Sequence, residues 1–209
     1  MPVLQATQLS CEKQDRTLFQ SINLSIESGE LVLLKGENGA GKTSLLRILV
    51  GLSQPQAGSV LINNYCVLNE IDYAAPEFIY CGHKLGNNNL LTATENLVFW
   101  CQLQGMPADK EKIANVLLEL GLAGLEDIPA KNLSAGQQRR VSLARLWLKP
   151  EAKLWVLDEP FTALDVNTVK QIEEKIEYFL DRQGAVIMTS HQLVSVNRPS
   201  RVFELEYAW

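Results

Sequence analysis

Residues 36–43 read GENGAGKT, a match to G-x-x-x-x-G-K-[ST] set between the apolar run LVLLK and a helical pattern that begins at Lys42. Those residue types at that spacing make a cradle for phosphate. Gly36, Gly39 and Gly41 let the loop wrap close to an anion, the amides of Gly39 to Thr43 point inward, and the helix start adds a favourable dipole. Lys42 is placed to neutralise β- and γ-phosphates, and the Thr43 hydroxyl to meet Mg²⁺. The candidate nucleotide-binding set is Gly36, Glu37, Asn38, Gly39, Ala40, Gly41, Lys42, Thr43 and Ser44.

LWVLDEP carries a second chemical signal. Asp158 ends an apolar run and is positioned to hold Mg²⁺ through water, with Thr43 as the other metal contact. Glu159 beside it is positioned to polarise an attacking water. Two neighbouring carboxylates also suit a solvated strand edge; the phosphate loop tips the reading toward chemistry. His191 follows the apolar run AVIMTS. In a parallel sheet the strand ends gather where ligands bind, so His191, on the same sheet edge as Asp158, can reach the γ-phosphate.

A third stretch, LSAGQQRR, opens a helix: Ser134 and Gln137 have the spacing of a capping box. Gly136 lies inside that first turn, where glycine costs roughly 1 kcal/mol against alanine. A bare helix start is an anion site.

These groups need scaffolding. The first roughly 35 residues read as short strands, VLQATQL, INLSI and LVLLK, with polar turns between. Lys42 to Val50 forms a short helix closed by Gly51, and GSVLIN and EFIYC are strands. From Thr92 to Leu148 the pattern is helical: Thr92 with Glu95 makes a capping box, Asp109 caps KEKIANVLLEL, and Gly121 ends it. LWVL is a strand buried on both faces, Val166 to Leu180 a helix lying on a core, AVIMTS a central strand and RVFELEY an edge strand. The expected organisation is one α/β domain over residues 1–209, with a core of 1–83 and 151–209 around a mixed sheet and a helical subdomain at 84–150.

Composition narrows the classes. The 209 residues are 46% hydrophobic, enough for a sizeable core. Charged or amide residues interrupt every apolar run, and MPVLQATQLS lacks a basic start, so neither membrane insertion nor secretion is expected. A net charge of −5 argues against a nucleic-acid coat. Arg139, Arg140, Arg145 and Lys149 form a local basic group, read most simply as a solvated helix face. The cysteines, Cys11, Cys66, Cys81 and Cys101, show no C-x-x-C pair and suit packed thiols.

GENGAGKT, the segment around His83, LSAGQQRR, LWVLDEP with ALD, and SHQ stand in the order found in the ATP-binding cassette (ABC) ATPases. The resemblance covers nearly the whole chain, and the pairing of LSAGQ with the phosphate loop is what makes it specific. It implies a P-loop NTPase fold, ATP and Mg²⁺ as cofactors, Glu159 as catalytic base and His191 as switch histidine. It further implies that Ser134, Ala135, Gly136 and Gln137 serve the nucleotide of a second copy, with Asp165 in the loop that crosses to it. Two departures stand out. His83 occupies the place of a glutamine that touches Mg²⁺ and the attacking water, and an imidazole there keeps one donor or acceptor. CEKQDRT has no aromatic residue to stack on adenine, leaving Arg16 or Phe19 for that task.

Within the family, GH at Gly82-His83, LTATENL, LSAGQQRRVSLARLWL and LWVLDEPFTALD are similar to the ATP-binding subunits of cytochrome c maturation (haem exporter) systems. That similarity implies integral membrane subunits as partners and a peripheral place at the cytoplasmic face of a bacterial inner membrane. It also implies work on haem export or on release of a haem-loaded chaperone. The alternatives are an ATPase subunit of another small-molecule or peptide exporter and a soluble ABC ATPase. Phe99 and Trp100 are candidates either for contact with a membrane partner or for core packing.

Overall fold

The computed structural model describes residues 2–13, 16–192 and 194–206. Two sheets carry the fold. β1 (Leu4–Lys13), β2 (Arg16–Ile26), β4 (Ala57–Ile62) and β5 (Tyr65–Cys66) form an antiparallel sheet in the order β2-β1-β4-β5. β3 (Leu31–Lys35), β6 (Phe78–Cys81), β7 (Leu154–Asp158), β8 (Ala185–Thr189) and β9 (Ser200–Glu204) form a parallel sheet in the order β6-β7-β8-β3-β9.

The parallel sheet is covered on both faces, which is why LWVLD and AVIMT are apolar throughout and buried at every position. Side-chain alternation divides β7 between two cores. Trp155 and Leu157 pack with the helices of the second half of the chain, whereas Leu154 and Val156 pack with α1 (Lys42–Leu49) and the antiparallel sheet. The short α2 (Ile71–Ala74) and a 3-10 turn lead into β6.

Four helices, α3 (Ala93–Leu103), α4 (Lys110–Glu119), α5 (Ala135–Leu143) and α6 (Arg145–Leu148), lie between β6 and β7; α7 (Val166–Asp181) lies between β7 and β8. The starts are where the capping chemistry puts them. Thr92 accepts from the Glu95 amide and Glu95 reaches back to the Thr92 amide; Asp109 accepts from the amides of Glu111 and Lys112. β9 sits at a sheet edge, as its alternating sequence predicts.

β2 is longer than INLSI. It begins at Arg16 because pairing with β1 carries RTLFQS into the ladder, a tertiary effect. Phe19 is 2% exposed and belongs to the core, which removes it as a cover for adenine.

The basic group departs most from expectation. Arg139, Arg145 and Lys149 are only 5%, 7% and 4% exposed, so they form no solvated face. Each instead ends on carbonyl oxygens that no ladder uses. Arg139 Nη1 donates to Gly82 O, and Arg145 Nη2 to Gly86 O and Asn87 Oδ1. Lys149 Nζ donates to Ala75 O, Phe78 O and Gln104 Oε1. Buried carbonyls need donors, and long cationic side chains supply several at once.

Candidate functional site

The C-terminal ends of β3, β7 and β8 meet at one side of the parallel sheet, and the loop after β3 wraps there into α1. Gly41 caps α1 with φ 99°, in the left-handed region that a side chain resists. A Cβ on Gly41 would also stand 3.1 Å from Leu18 Cβ. Lys42 Nζ folds back over the loop and donates to Gly36 O at 2.7 Å and Glu37 O at 3.0 Å.

A cleft of about 420 Å³ opens beside it, lined by Asn38, Gly39, Gly41, Lys42, Thr43 and Ser44 of the loop. His83, Asp158, Glu159, Thr162 and His191 close its other side, and Leu18 completes it. Gly36 and Glu37 contribute carbonyls to Lys42 rather than walls. Ala40 is 1% exposed and packs into the core beneath.

Both oxygens of Asp158 are held. Thr43 Oγ1 donates to Oδ2 at 2.8 Å and Thr189 Oγ1 donates to Oδ1 at 2.8 Å. Thr189 is level with Asp158 in the β7–β8 register, and its hydroxyl also accepts from the Glu159 amide at 2.9 Å. Glu159 turns sharply, with φ 51°, a strained conformation for a residue with a side chain. Its Oε2 accepts from the His191 amide at 3.2 Å, and His191 Nε2 lies 3.5 Å from Oε1. Burial pushes the Tyr80 phenol up to about 12, and the Asp158 charge adds to the shift, so this hydroxyl stays protonated beside the acid.

The donor set fits a hard divalent cation. One carboxylate and one hydroxyl already in contact suit an ion that keeps several waters and takes the rest of its shell from phosphate. Among the described residues there is no cluster of three or more His, Cys, Asp or Glu that would make an all-protein metal cage.

The LSAGQ turn lies elsewhere. Ser134 caps α5 through the Gln137 amide and Gln137 reaches back to the Ser134 amide, yet none of Ser134, Ala135, Gly136 and Gln137 lines the cleft. Gly136 also serves packing within the chain: a Cβ there would stand 2.5 Å from Ala163 O. Ala163 itself has φ 64°. Two residues on, Asp165 caps α7 by accepting from the amide and hydroxyl of Thr168, and it pairs with Arg140. The Thr168 hydrogen bonds, with help from Arg140, hold the Asp165 carboxyl down at about 2.

Sequence reasoning missed Thr189, Leu18, Thr162 and Arg139. Thr189 had a signal, a polar residue ending a buried strand level with an acid; Leu18 and Arg139 had none.

A family profile described as ABC transporter matches residues 19–162, more than half of the chain. The chain belongs to the ABC transporter family. This ABC-type ATPase is 46% identical over 194 residues to the cytochrome c biogenesis ATP-binding export protein of Pseudomonas fluorescens, covering 93% of this chain and 91% of that one. Its identity to the protein of that name in Escherichia coli is 45% over 196 residues, 94% and 92% of the two chains. Among solved structures, it superposes on an ATP-binding subunit of an ABC transporter with TM-score 0.87 at 23% identity, covering 97% and 85% of the chains. A dimeric, post-hydrolysis ATP-binding cassette bound to ADP and Pi superposes with TM-score 0.84 at 23% identity, covering 97% and 94%. At that identity the ABC fold is what the superpositions establish. No helix among the described residues is long and apolar enough to cross a membrane.

Proposed function

We propose that two copies of this ATPase close over two Mg-ATP molecules and that their cycle drives a membrane complex handling haem in cytochrome c biogenesis. One observation carries the dimer: every candidate site residue except the LSAGQ turn and Asp165 gathers in or under the cleft, while the turn lines no part of it. A second copy that brings Ser134 and Gly136 onto the γ-phosphate completes the site. The cytochrome c assignment rests on the names of relatives at 45–46% identity.

Lys42, the loop amides and the start of α1 bind the phosphates. Thr43 and Asp158 would hold Mg²⁺, which would supply charge neutralisation at the β- and γ-phosphates. Glu159 accepts the proton of the attacking water, with its carboxylate steadied by the His191 amide. His191 and His83 orient water and γ-phosphate by single hydrogen bonds. With Phe19 buried, Leu18 at the cleft wall joins Arg16 as a candidate to meet the base.

The membrane partners dock in a groove between α1 and α3. One part, about 390 Å³, includes Leu52, Tyr80, His83, Lys84 and Arg145; the adjoining part, about 260 Å³, includes Ile71, Phe78 and Trp100. Leu52 and Ile71, which line the groove, are exposed at 54% and 41%, an apolar rim for a partner helix, and Phe99 on α3 is exposed at 51%. On this reading the protein works peripherally at the cytoplasmic face of the inner membrane.

Glu159→Gln keeps the shape and removes the base, so turnover should fall about 10²–10⁴-fold. Size-exclusion chromatography of that variant with Mg-ATP is expected to show a dimer; a monomer under every nucleotide condition overturns the sandwich. Complementation of a strain lacking the Escherichia coli relative tests the haem role: restored c-type cytochromes support it, and their absence at normal expression points to another exporter.

A further inference from the structure

α5 begins with the LSAGQ turn, and the side chains that follow that turn reach into the body of the chain. Arg139, in the second turn, is 5% exposed, and its Nη1 donates to Gly82 O at 3.2 Å. Gly82 immediately precedes His83, which lines the cleft with Asp158 and Glu159. The guanidinium lies close enough to both acids to feel their charge, although burial is the larger influence and lowers its proton affinity.

Gly82 is pinned on a second side. A Cβ there would stand 2.7 Å from the Tyr80 hydroxyl, so the turn is seated between that hydroxyl and the Arg139 fork. Of the three buried cations Arg139 makes the fewest hydrogen bonds, one against two for Arg145 and three for Lys149, so satisfying Gly82 O returns least of its desolvation cost. Neighbouring contacts make α5 a stiff connection. Gly136 abuts Ala163 O, and Arg140 pairs with Asp165 in the same loop. The helix therefore touches the turn before His83 and the loop after Glu159.

We propose that Arg139 is a positioning residue, which sets His83 against Asp158 and Glu159 and transmits the seating of the LSAGQ turn to the water-activating carboxylate of its own chain. The inference rests on the role given above to His83. Arg139 touches no reacting atom in this scheme; it acts through Gly82 and His83. Movement of α5, when its first turn meets a second copy's nucleotide, shifts the Gly82 carbonyl and so the imidazole beside it.

The test is a double-mutant cycle on the full chain, reading kcat and KM for Mg-ATP, with melting curves as a folding control. Arg139→Met should lower kcat about tenfold or more with KM within about twofold, and Arg139→Lys, which keeps one donor in reach, should recover much of it. On a His83→Ala background, Arg139→Met should add less than about twofold, since both changes remove one function. Multiplying effects, or a change in KM with kcat intact, overturn the proposal. A His83→Ala variant with full kcat sinks the role of His83 and the inference with it, whereas a slow His83→Ala with multiplying effects sinks the inference alone. Should the methionine variant fail to fold, Arg139→Lys and its double with His83→Ala are judged by the same criterion.

Discussion

The phosphate loop and the LSAGQ helix are both glycine-bearing helix starts, and they are built in opposite ways. The loop's lysine is held locally, on the carbonyls of Gly36 and Glu37 six and five residues earlier, and α1 begins where the motif ends, while Thr43 reaches Asp158 and Gly41 packs by Leu18. α5 is self-contained only through its cap. Most of its side-chain contacts are long-range, from Gly136 against Ala163 O to Arg139 on Gly82 O and Arg140 on Asp165. An anion site meant for the chain's own ligand can be made from contiguous backbone. The LSAGQ turn, proposed to serve a second copy, is tied to its own chain by contacts across the fold.

That contrast breaks first at Lys42. Lys42→Ala should lower ATP affinity about 100-fold or more, because a charge-assisted contact to phosphate is lost. The fold should be intact, since the bonds it removes are local; calorimetry and a melting curve read the two effects. Unchanged affinity would remove the phosphate assignment. Gly136→Ala should act the other way round, leaving ATP binding to the monomer within twofold while destabilising the chain by about 1–3 kcal/mol, the usual cost of forcing a methyl into a filled space. Denaturant unfolding checks it. A neutral effect would mean that the Ala163 loop yields freely and that α5 is not tied to it.

Lys149 gives the smallest and most specific readout. Burial lowers its amine to about 8, below the ordinary lysine value of 10.5. A folded-state pKa below the unfolded one means that the unfolded chain holds the proton longer. Stability contributed by Lys149 should therefore rise as pH climbs from about 8 to 10.5 and be flat below 8. The gain, on the order of 1–3 kcal/mol, should be missing from Lys149→Met. Parallel pH profiles for the two chains would show that this cation is not buried as described.

Much of the fold was readable because its signals are local. Capping boxes at Thr92 and Ser134, the all-apolar β7 and β8, and the sheet-edge β9 all follow from short patterns. Asp158, Glu159 and His191 were placed at strand ends by parallel topology, and the structure brings the three together. Thr189 escaped because its importance lies in register, one strand away from Asp158. The buried arginines and lysine escaped for a stronger reason. A charged side chain reads as solvent-facing unless the carbonyls waiting for it are known, and those carbonyls belong to residues 57, 59 and up to 74 positions away.

The amino-acid order alone determined which groups gather at the proposed nucleotide site, since a glycine-rich loop, a lysine and a carboxylate at a strand end are positioned by the backbone beside them. Only the folded chain decided how those groups are steadied and linked. Which carbonyls remain unpaired in the interior, and therefore where Arg139, Arg145 and Lys149 must go, depends on how separate segments pack and not on any neighbour in sequence.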